Sequence, residues 1–121
     1  MNDPIQQEIE TKGLTAPRVT PADIEAEIVS EYYFTAEQGA QAAFEAAALP
    51  ARDLRIPPLN LLTFCVLVLK NGFTVTGESA CASPDNFNAE IGRKIARENA
   101  VNKLWPLLGF RLRDKLCGDV I

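Results

Sequence analysis

The chain is 121 residues long, with a hydrophobic fraction of 47% and a formal net charge of −4. This length supports one domain with a modest hydrophobic core, and this composition argues against wholesale disorder. No apolar run approaches the roughly 18–20 residues that a membrane-spanning helix needs, and the polar, acidic N-terminus is unlike a secretory signal. We therefore expect a cytoplasmic protein with no membrane partner.

Histidine is absent from the chain. This removes the commonest general base near neutral pH and the commonest metal ligand, so Cys–His and Ser–His catalysis and His-containing metal sites are excluded. The three cysteines fit no zinc spacing, and in a cytoplasm they predict free thiols. We predict a protein that is not an enzyme and that has no catalytic residue, metal site or cofactor.

The charges are distributed unevenly along the chain. Residues 1–53 contain ten acids and three bases, whereas residues 86–115 contain seven bases and three acids. One interpretation is that two helical faces of opposite sign attract each other within or between chains. Another is that the basic segment faces an anion such as a phosphate. The acidic total and the lack of an aromatic-rich basic surface give no strong nucleic-acid signal.

The N-terminal part of the chain predicts an arm followed by a helix. Residues 1–19 have no sustained hydrophobic period and are predicted to form a flexible arm ahead of a single domain over residues 20–121. The Thr20 hydroxyl can cap a helix, and Pro21 suits its first position. The apolar residues of this helix recur every fourth position: Ile24, Ile28 and Tyr32.

A second helical segment follows. Thr35 with Gln38 resembles a capping box, and the alanine-rich stretch after it has high helix propensity, so the helical part is predicted over residues 20–49. Residues 50–60 contain three prolines, which predict a stiff linker.

The strongest structural signal is a hairpin over residues 61–81, in which two β-prone runs flank Asn71-Gly72. With these two residues as a type I′ turn, Val68 pairs with Val75, and one face of the hairpin is a clear core face. The predicted members of that face are Phe64, Val66, Val68, Phe73 and Val75.

The first strand of this hairpin is apolar on its second face as well, through Cys65, Leu67 and Leu69. An isolated two-stranded ribbon cannot bury both faces. Either the N-terminal helix or a second copy of the chain must cover the Leu67 side. We expect a second copy, and hence a homo-oligomer.

A long helix over residues 83–108 is predicted to pack on the hairpin, with Pro106 stopping or bending it and a tail over residues 109–121. A row of small residues on this helix allows another element to approach closely: Gly92, Ala96 and Ala100. The helix also supplies the remaining predicted core residues: Ile91, Ile95 and Trp105. The predicted fold class is α+β, with one or more N-terminal helices, a β-hairpin and a C-terminal helix packed on it.

The block over residues 61–110 resembles the small tailed-phage and prophage proteins of the gene-product-49/66 family. The matching residues are Thr63, Cys65, Lys70-Asn71-Gly72-Phe73, Thr76-Gly77-Glu78-Ser79, Asn86-Phe87, Gly92-Arg93, Ala96, Ala100, Trp105 and Gly109-Phe110. The resemblance implies a phage accessory protein in the cytoplasm of an infected bacterial host. It supplies no catalytic residue to transfer.

A set of polar residues on the hairpin and the long helix is the candidate ligand site. Arginine binds phosphate through two parallel hydrogen bonds, and free amides at a helix start favour anions. We expect a pocket between hairpin and helix for a small anionic, nucleotide-type ligand. The candidate residues are Lys70, Thr76, Glu78, Ser79, Asn86, Arg93 and Lys94.

Two functions follow from these patterns. The first is an antagonist of host immunity that sequesters a small anionic ligand; this draws on the phage context by analogy. The alternative is a protein–protein interaction module that binds and inhibits a host protein through its acidic N-terminal half, which includes the aromatic cluster Tyr32-Tyr33-Phe34.

Overall fold

The computed structural model describes residues 4–47 and 57–118. Within these ranges the elements in chain order are α1 (Pro4–Thr11), α2 (Pro21–Glu27), β1 (Ile28–Thr35), α3 (Ala36–Ala46), α4 (Pro57–Asn60), β2 (Leu62–Leu69), β3 (Thr74–Ala80), a 3₁₀ turn (Pro84–Asn86), α5 (Ala89–Asn102) and α6 (Leu104–Cys117). This combination of helices and an antiparallel sheet confirms the α+β class. Most of the predicted linker, residues 50–56, lies outside the described residues, as does the end of the predicted tail, residues 119–121.

The three strands form one antiparallel sheet in the order β1-β2-β3. Helix α5 packs across one face of this sheet, against β2 and β3. Helices α2 and α6 contact each other, and the Lys70 N–H donates to the Glu27 carbonyl at 3.1 Å. This hydrogen bond joins the end of α2 to the hairpin loop.

The predicted helix that starts at Thr20 is present but short. The Thr20 hydroxyl accepts from the Asp23 N–H at 3.2 Å and the Asp23 carboxylate accepts from the Thr20 N–H at 2.9 Å, so the predicted cap is confirmed. The prediction of helix beyond residue 27 is wrong, because the segment IVSEYYFT forms β1 and pairs with β2. Its β-branched and aromatic residues fit a half-buried sheet, and this pairing overrides the four-residue apolar spacing.

Helix α3 begins where the sequence predicts. The Gln38 N–H donates to the Thr35 hydroxyl at 3.2 Å, and the Thr35 N–H donates to the Gln38 side-chain oxygen at 2.9 Å, which confirms the capping box. Two short helices lie in segments that were predicted to be irregular. These are α1 in the N-terminal arm and α4 at the end of the linker.

The hairpin is confirmed, but the predicted register is wrong by one residue. The Leu69 N–H donates to the Phe73 carbonyl, and the Leu69 carbonyl accepts from the Gly72 N–H, both at 2.9 Å, so the loop has three residues instead of two. Gly72 has a φ of +87°, the left-handed conformation that a loop of this kind requires at its last position. Val68 consequently pairs with Thr74 instead of Val75.

A one-residue shift changes which side chains share a face of the sheet. Val75 lies opposite Leu67, and this face turns towards α5. The buried apolar core is Ile24, Cys65, Leu67, Leu69, Val75, Ala96, Ala100, Leu104 and Leu108. Of the predicted core only Val75 belongs to it. The predictions for Phe64, Val66 and Val68, which are half-buried on the opposite face, and for Phe73, Ile91, Ile95 and Trp105, which are exposed, are wrong.

The small residues of α5 decide which face of the sheet is buried. Gly92, Ala96 and Ala100 all lie at the sheet surface and are buried. A Cβ atom at Gly77 would overlap the Ala96 carbonyl oxygen and the Ala100 nitrogen. The close approach that this row predicts is therefore confirmed, and it brings the α5 backbone directly onto β3 at Gly77.

The predicted long helix is two helices. Asn88, and not an earlier residue, caps α5, with its side-chain oxygen accepting from the Ile91 N–H at 3.0 Å. The prediction that Pro106 stops a helix is wrong, because it lies in the first turn of α6, where the missing N–H costs no helical hydrogen bond. The predicted tail is helical as far as Cys117.

The first hairpin strand, β2, has a second apolar face, and helices α5 and α6 of the same chain cover it. Leu67 is fully buried and Leu69 is 4% exposed, beneath α5 and beside Leu104 and Leu108 of α6. The expectation that a second copy covers this face is wrong, because α5 and α6 already fill it. The free thiols are confirmed; Cys65 is buried, and burial raises its pKa.

Replacing Gly77 tests the close approach. Gly77→Ala should lower the free energy of unfolding by about 3 kcal/mol, because its methyl group must push the α5 backbone away from β3. Gly109→Ala in α6 is the matched control, since a Cβ there meets nothing within 4 Å, and it should add up to about 1 kcal/mol through helix propensity. Urea denaturation followed by circular dichroism measures both. A Gly77→Ala protein as stable as the unmodified one would contradict the packing described.

Candidate functional site

The end of α2 places a carboxylate in the interior. Glu27 is the last residue of α2, and its side chain is 8% exposed. Arg111 of α6 binds it through two hydrogen bonds, from Nη2 to Oε1 at 2.7 Å and from Nη1 to Oε2 at 3.2 Å. These bonds, helped by the charges of Arg111, Lys70 and Lys115, hold the pKa of Glu27 below its ordinary value. Glu27 is therefore an ionised anchor that fixes the Arg111 guanidinium.

Arg111 lines a cavity of about 270 Å³ between α2, α6 and the hairpin loop, which we call the basic pocket. Four basic side chains line it: Arg18, Lys70, Arg111 and Lys115. Two acids line it as well, Asp23 and Glu27. The pocket therefore carries an excess of two positive charges in a chain whose total charge is −4.

The basic side chains of the pocket differ in whether they already bind another side chain of the protein. Arg111 is held by Glu27, and Arg18 donates to the Gln6 side-chain oxygen at 2.9 Å. Among the described residues, Lys70 and Lys115 take part in no ion pair. Lys70 and Lys115 are thus available to an anion, and they lie beside Arg111, whose orientation Glu27 fixes.

A second ionic network joins two other acids of the N-terminal half, Glu25 and Glu31, to α5. Arg97 donates from Nη2 to Glu25 at 2.8 Å and from Nε to Glu31 at 2.9 Å. The Tyr33 hydroxyl donates to Glu31 at 3.0 Å. The hydrogen bonds from Arg97 lower the pKa of Glu25. Together with the Glu27–Arg111 pair, this network confirms attraction within the chain between its acidic and basic halves.

The structure does not bring the seven predicted ligand residues together. Lys70 lines the basic pocket, whereas Arg93 lines a separate groove of about 500 Å³. Lys94 is exposed and pairs with Glu90 at 3.3 Å. Among the described residues the seven do not line one common pocket, and the contact of Gly77 with the α5 backbone closes the space between β3 and α5.

The remaining predicted residues lie on three different surfaces. Thr76 and Glu78 are exposed on the sheet face that turns away from α5. Ser79 is half-buried on the opposite face, paired with Thr63, and Asn86 is exposed in the 3₁₀ turn. None of these four lines the basic pocket.

The groove that contains Arg93 lies where α3 and α5 both begin. Its polar residues include Thr35 and Gln38 at the start of α3, and its aromatic residues include Phe87. Arg93 is its only charged lining residue among the described residues. It therefore concentrates less positive charge than the basic pocket.

Sequence reasoning missed three cations of the basic pocket: Arg18, Arg111 and Lys115. The excess of bases over residues 86–115 was the available signal, since it includes Arg111 and Lys115. It could not identify the pocket, because Arg18 and Lys70 come from distant parts of the chain and meet α6 only in the folded protein.

Two other features are absent from the described residues: a membrane-spanning helix and a cluster of metal ligands. No described helix is long and apolar enough to cross a membrane. The described part of the chain contains no cluster of three or more metal-ligating side chains.

The family model described as phage protein (N4 Gp49/phage Sf6 gene 66) matches residues 19–116. This confirms the family that the block over residues 61–110 resembles, and it extends the match through the N-terminal half. Searches of curated proteins and of solved structures found no match to the chain.

Replacing Arg111 tests the anchor beneath the basic pocket. Arg111→Met should lower the free energy of unfolding at pH 7 by about 2–3 kcal/mol, because it leaves the buried Glu27 carboxylate without its partner. Arg113→Met is the control, since Arg113 is exposed on the same helix and takes part in no ion pair with a described residue.

The pH dependence of this effect has a definite sign. Because the pKa of Glu27 is lowered in the folded protein from an ordinary value of 4.5, the pair contributes stability above that value and loses it as the pH falls. The difference between Arg111→Met and the unmodified protein should therefore shrink in acid-range denaturation curves. A difference that is constant down to pH 3 would contradict the anchoring role.

Proposed function

The chain belongs to the N4 Gp49/Sf6 gene 66 family of phage proteins, and from that premise we propose that it is a non-enzymatic phage accessory protein that binds a small anionic ligand. The observation that carries the proposal is the basic pocket, where four cations meet two carboxylates in one cavity. We further propose that the ligand is a nucleotide-type signal of host immunity, which the protein sequesters in the cytoplasm of the infected bacterium.

Electrostatics supports an anion at this position. The charge of Glu27 is balanced by Arg111, whereas the Asp23 carboxylate accepts from the Thr20 N–H, keeps its negative charge and offsets one of the remaining cations. The charges left to act on a ligand come mainly from Lys70, Lys115 and Arg18. Arginine and lysine together suit a phosphate group, the former by its planar fork of donors and the latter as a mobile point charge.

The size of the pocket limits what it holds. Cavities that enclose whole small molecules run from about 300 Å³ upwards, and the basic pocket has about 270 Å³. This volume suits a phosphate or diphosphate group with part of an attached sugar, and the rest of a nucleotide would lie at the pocket mouth. The apolar wall formed by Val19, Leu108 and Leu112 gives that part a surface to contact.

The alternative, inhibition of a host protein through the acidic N-terminal half, is the less favoured proposal. Three of the acids of that half, Glu25, Glu27 and Glu31, are bound by Arg97 and Arg111 of the same chain. They do not form a free acidic surface for a partner.

A thermal-shift screen tests ligand binding. Cyclic dinucleotides, ADP-ribose derivatives, simple nucleotides and inorganic phosphate are the probes. A ligand at 100 times its dissociation constant should raise the free energy of unfolding by about 2.7 kcal/mol. The shift should fall as salt rises, because the pocket acts through charge.

Matched variants locate the site. Lys70→Gln and Lys115→Gln should each weaken a detected ligand, measured by isothermal titration, by about tenfold if each lysine contacts phosphate. Lys103→Gln, at the exposed junction of α5 and α6, should leave affinity unchanged. The proposal fails if no anion shifts the melting temperature, or if all three variants bind equally well.

A further inference from the structure

The face of the sheet that turns away from α5 carries five apolar or aromatic side chains on β1 and β2, and among the described residues it is largely without a covering helix. Tyr32 is 56% exposed and Phe34 is 38% exposed there. Helix α3 contacts β1 and β2, and its Gly39 lies against the Phe34 ring. A sheet face that meets water normally carries polar residues, so the composition of this face indicates that something covers it.

The strand register arranges this face in three rows of three side chains, one from each strand. The middle row is Tyr32, Val66 and Thr76. One flanking row, the large row, is Phe34, Phe64 and Glu78. The other flanking row, the small row, is Ser30, Val68 and Thr74. The rings of the large row contact each other, with the Phe34 and Phe64 centroids 5.6 Å apart.

We infer that this open sheet face binds the same face of a second copy of the chain, about a two-fold axis that runs along the middle row, perpendicular to the strands. This operation places the large row of one copy on the small row of the other. Phe34 then meets Ser30, and Phe64 meets Val68. Interdigitation of large and small side chains is what close packing between two sheets requires.

The charge on the face supports a second copy as the occupant. Glu78 is its only charged residue, and the axis places it over Thr74 of the other copy, whose hydroxyl can donate to the carboxylate. The two Glu78 side chains are kept apart in this arrangement. A two-fold axis parallel to the strands would instead place Glu78 on Phe34, which would bury its charge without a donor.

The free edge of β3 is a poorer site for a second copy than the face. Asn99 of α5 donates from Nδ2 to the Glu78 carbonyl at 2.8 Å. This hydrogen bond already occupies a backbone acceptor that an added strand would need. Native proteins protect sheet edges in such ways against pairing with another chain.

The dimensions of the face set the expected affinity. Three strands of seven or eight residues span roughly 14 Å by 25 Å. Two such faces bury on the order of 1,000 Å², at the low end for specific interfaces. We therefore expect a dimer that dissociates in the micromolar range. The basic pocket lies on the helix side of the sheet, so each copy keeps its pocket, and the inference stands independently of the proposed ligand.

Sedimentation velocity over about 1–200 μM tests the inference. The unmodified protein should shift from monomer to dimer in this range. Tyr32→Glu should weaken dimerisation at least tenfold, because the two-fold axis brings the two introduced carboxylates together. Phe110→Glu is the matched control: Phe110 is 73% exposed on α6, away from the face, and its replacement should leave the dimer unchanged.

A pair of charge variants at an exposed strand position tests the axis itself. Thr74→Lys should tighten the dimer and Thr74→Glu should loosen it, each by roughly fivefold, because residue 74 faces Glu78 of the other copy. Both variants leave the monomer folded, as circular dichroism should show. The inference is overturned if the unmodified protein is monomeric at 200 μM, if Tyr32→Glu and Phe110→Glu behave alike, or if the two Thr74 variants have equal effects.

Discussion

The contact between Gly77 and the backbone of α5 is the constraint on which the rest of the structure depends. Because no Cβ separates them, α5 lies directly on β3, with Ala96 and Ala100 buried between helix and sheet. This contact selects the face of the hairpin that carries Cys65, Leu67 and Val75 as the core face. It also closes the space between β3 and α5.

Within this packing arrangement, basic residues of the C-terminal half bind acidic residues of the N-terminal half. Arg97 on α5 and Arg111 on α6 reach back to three acids at the end of α2 and in β1. Partly exposed ion pairs contribute little stability on average, but the Glu27–Arg111 pair is different, because its carboxylate is buried. It fixes Arg111 at the wall of the basic pocket while Lys70 and Lys115 remain free to meet an anion.

The same arrangement leaves the protein with two distinct surfaces. On the helix side, α2, α6 and the hairpin loop converge on the basic pocket. On the other side, β2 presents Phe64, Val66 and Val68 beside Tyr32 and Phe34 of β1. The strand is apolar on both faces, and within the described ranges α5 and α6 cover the face that carries Leu67. A ligand site and a self-association surface can therefore coexist in a chain of this size without competing for residues.

The sequence by itself determined the local features, because each depends on neighbouring residues. The caps at Thr20 and Thr35, the hairpin around Gly72, the row of small residues on α5 and the family resemblance were all readable in this way. Tertiary structure alone decided that residues 28–35 form a strand, since their partners in β2 lie 28 to 41 positions further along the chain. It also decided the hairpin register, where a slip of one residue exchanges the two faces. The predicted hairpin core depended on that register, and for this reason Val75 alone of its members lies in the buried core. Of the predicted ligand residues only Lys70 lines the basic pocket, because that pocket draws its cations from distant parts of the chain that meet only in the folded protein.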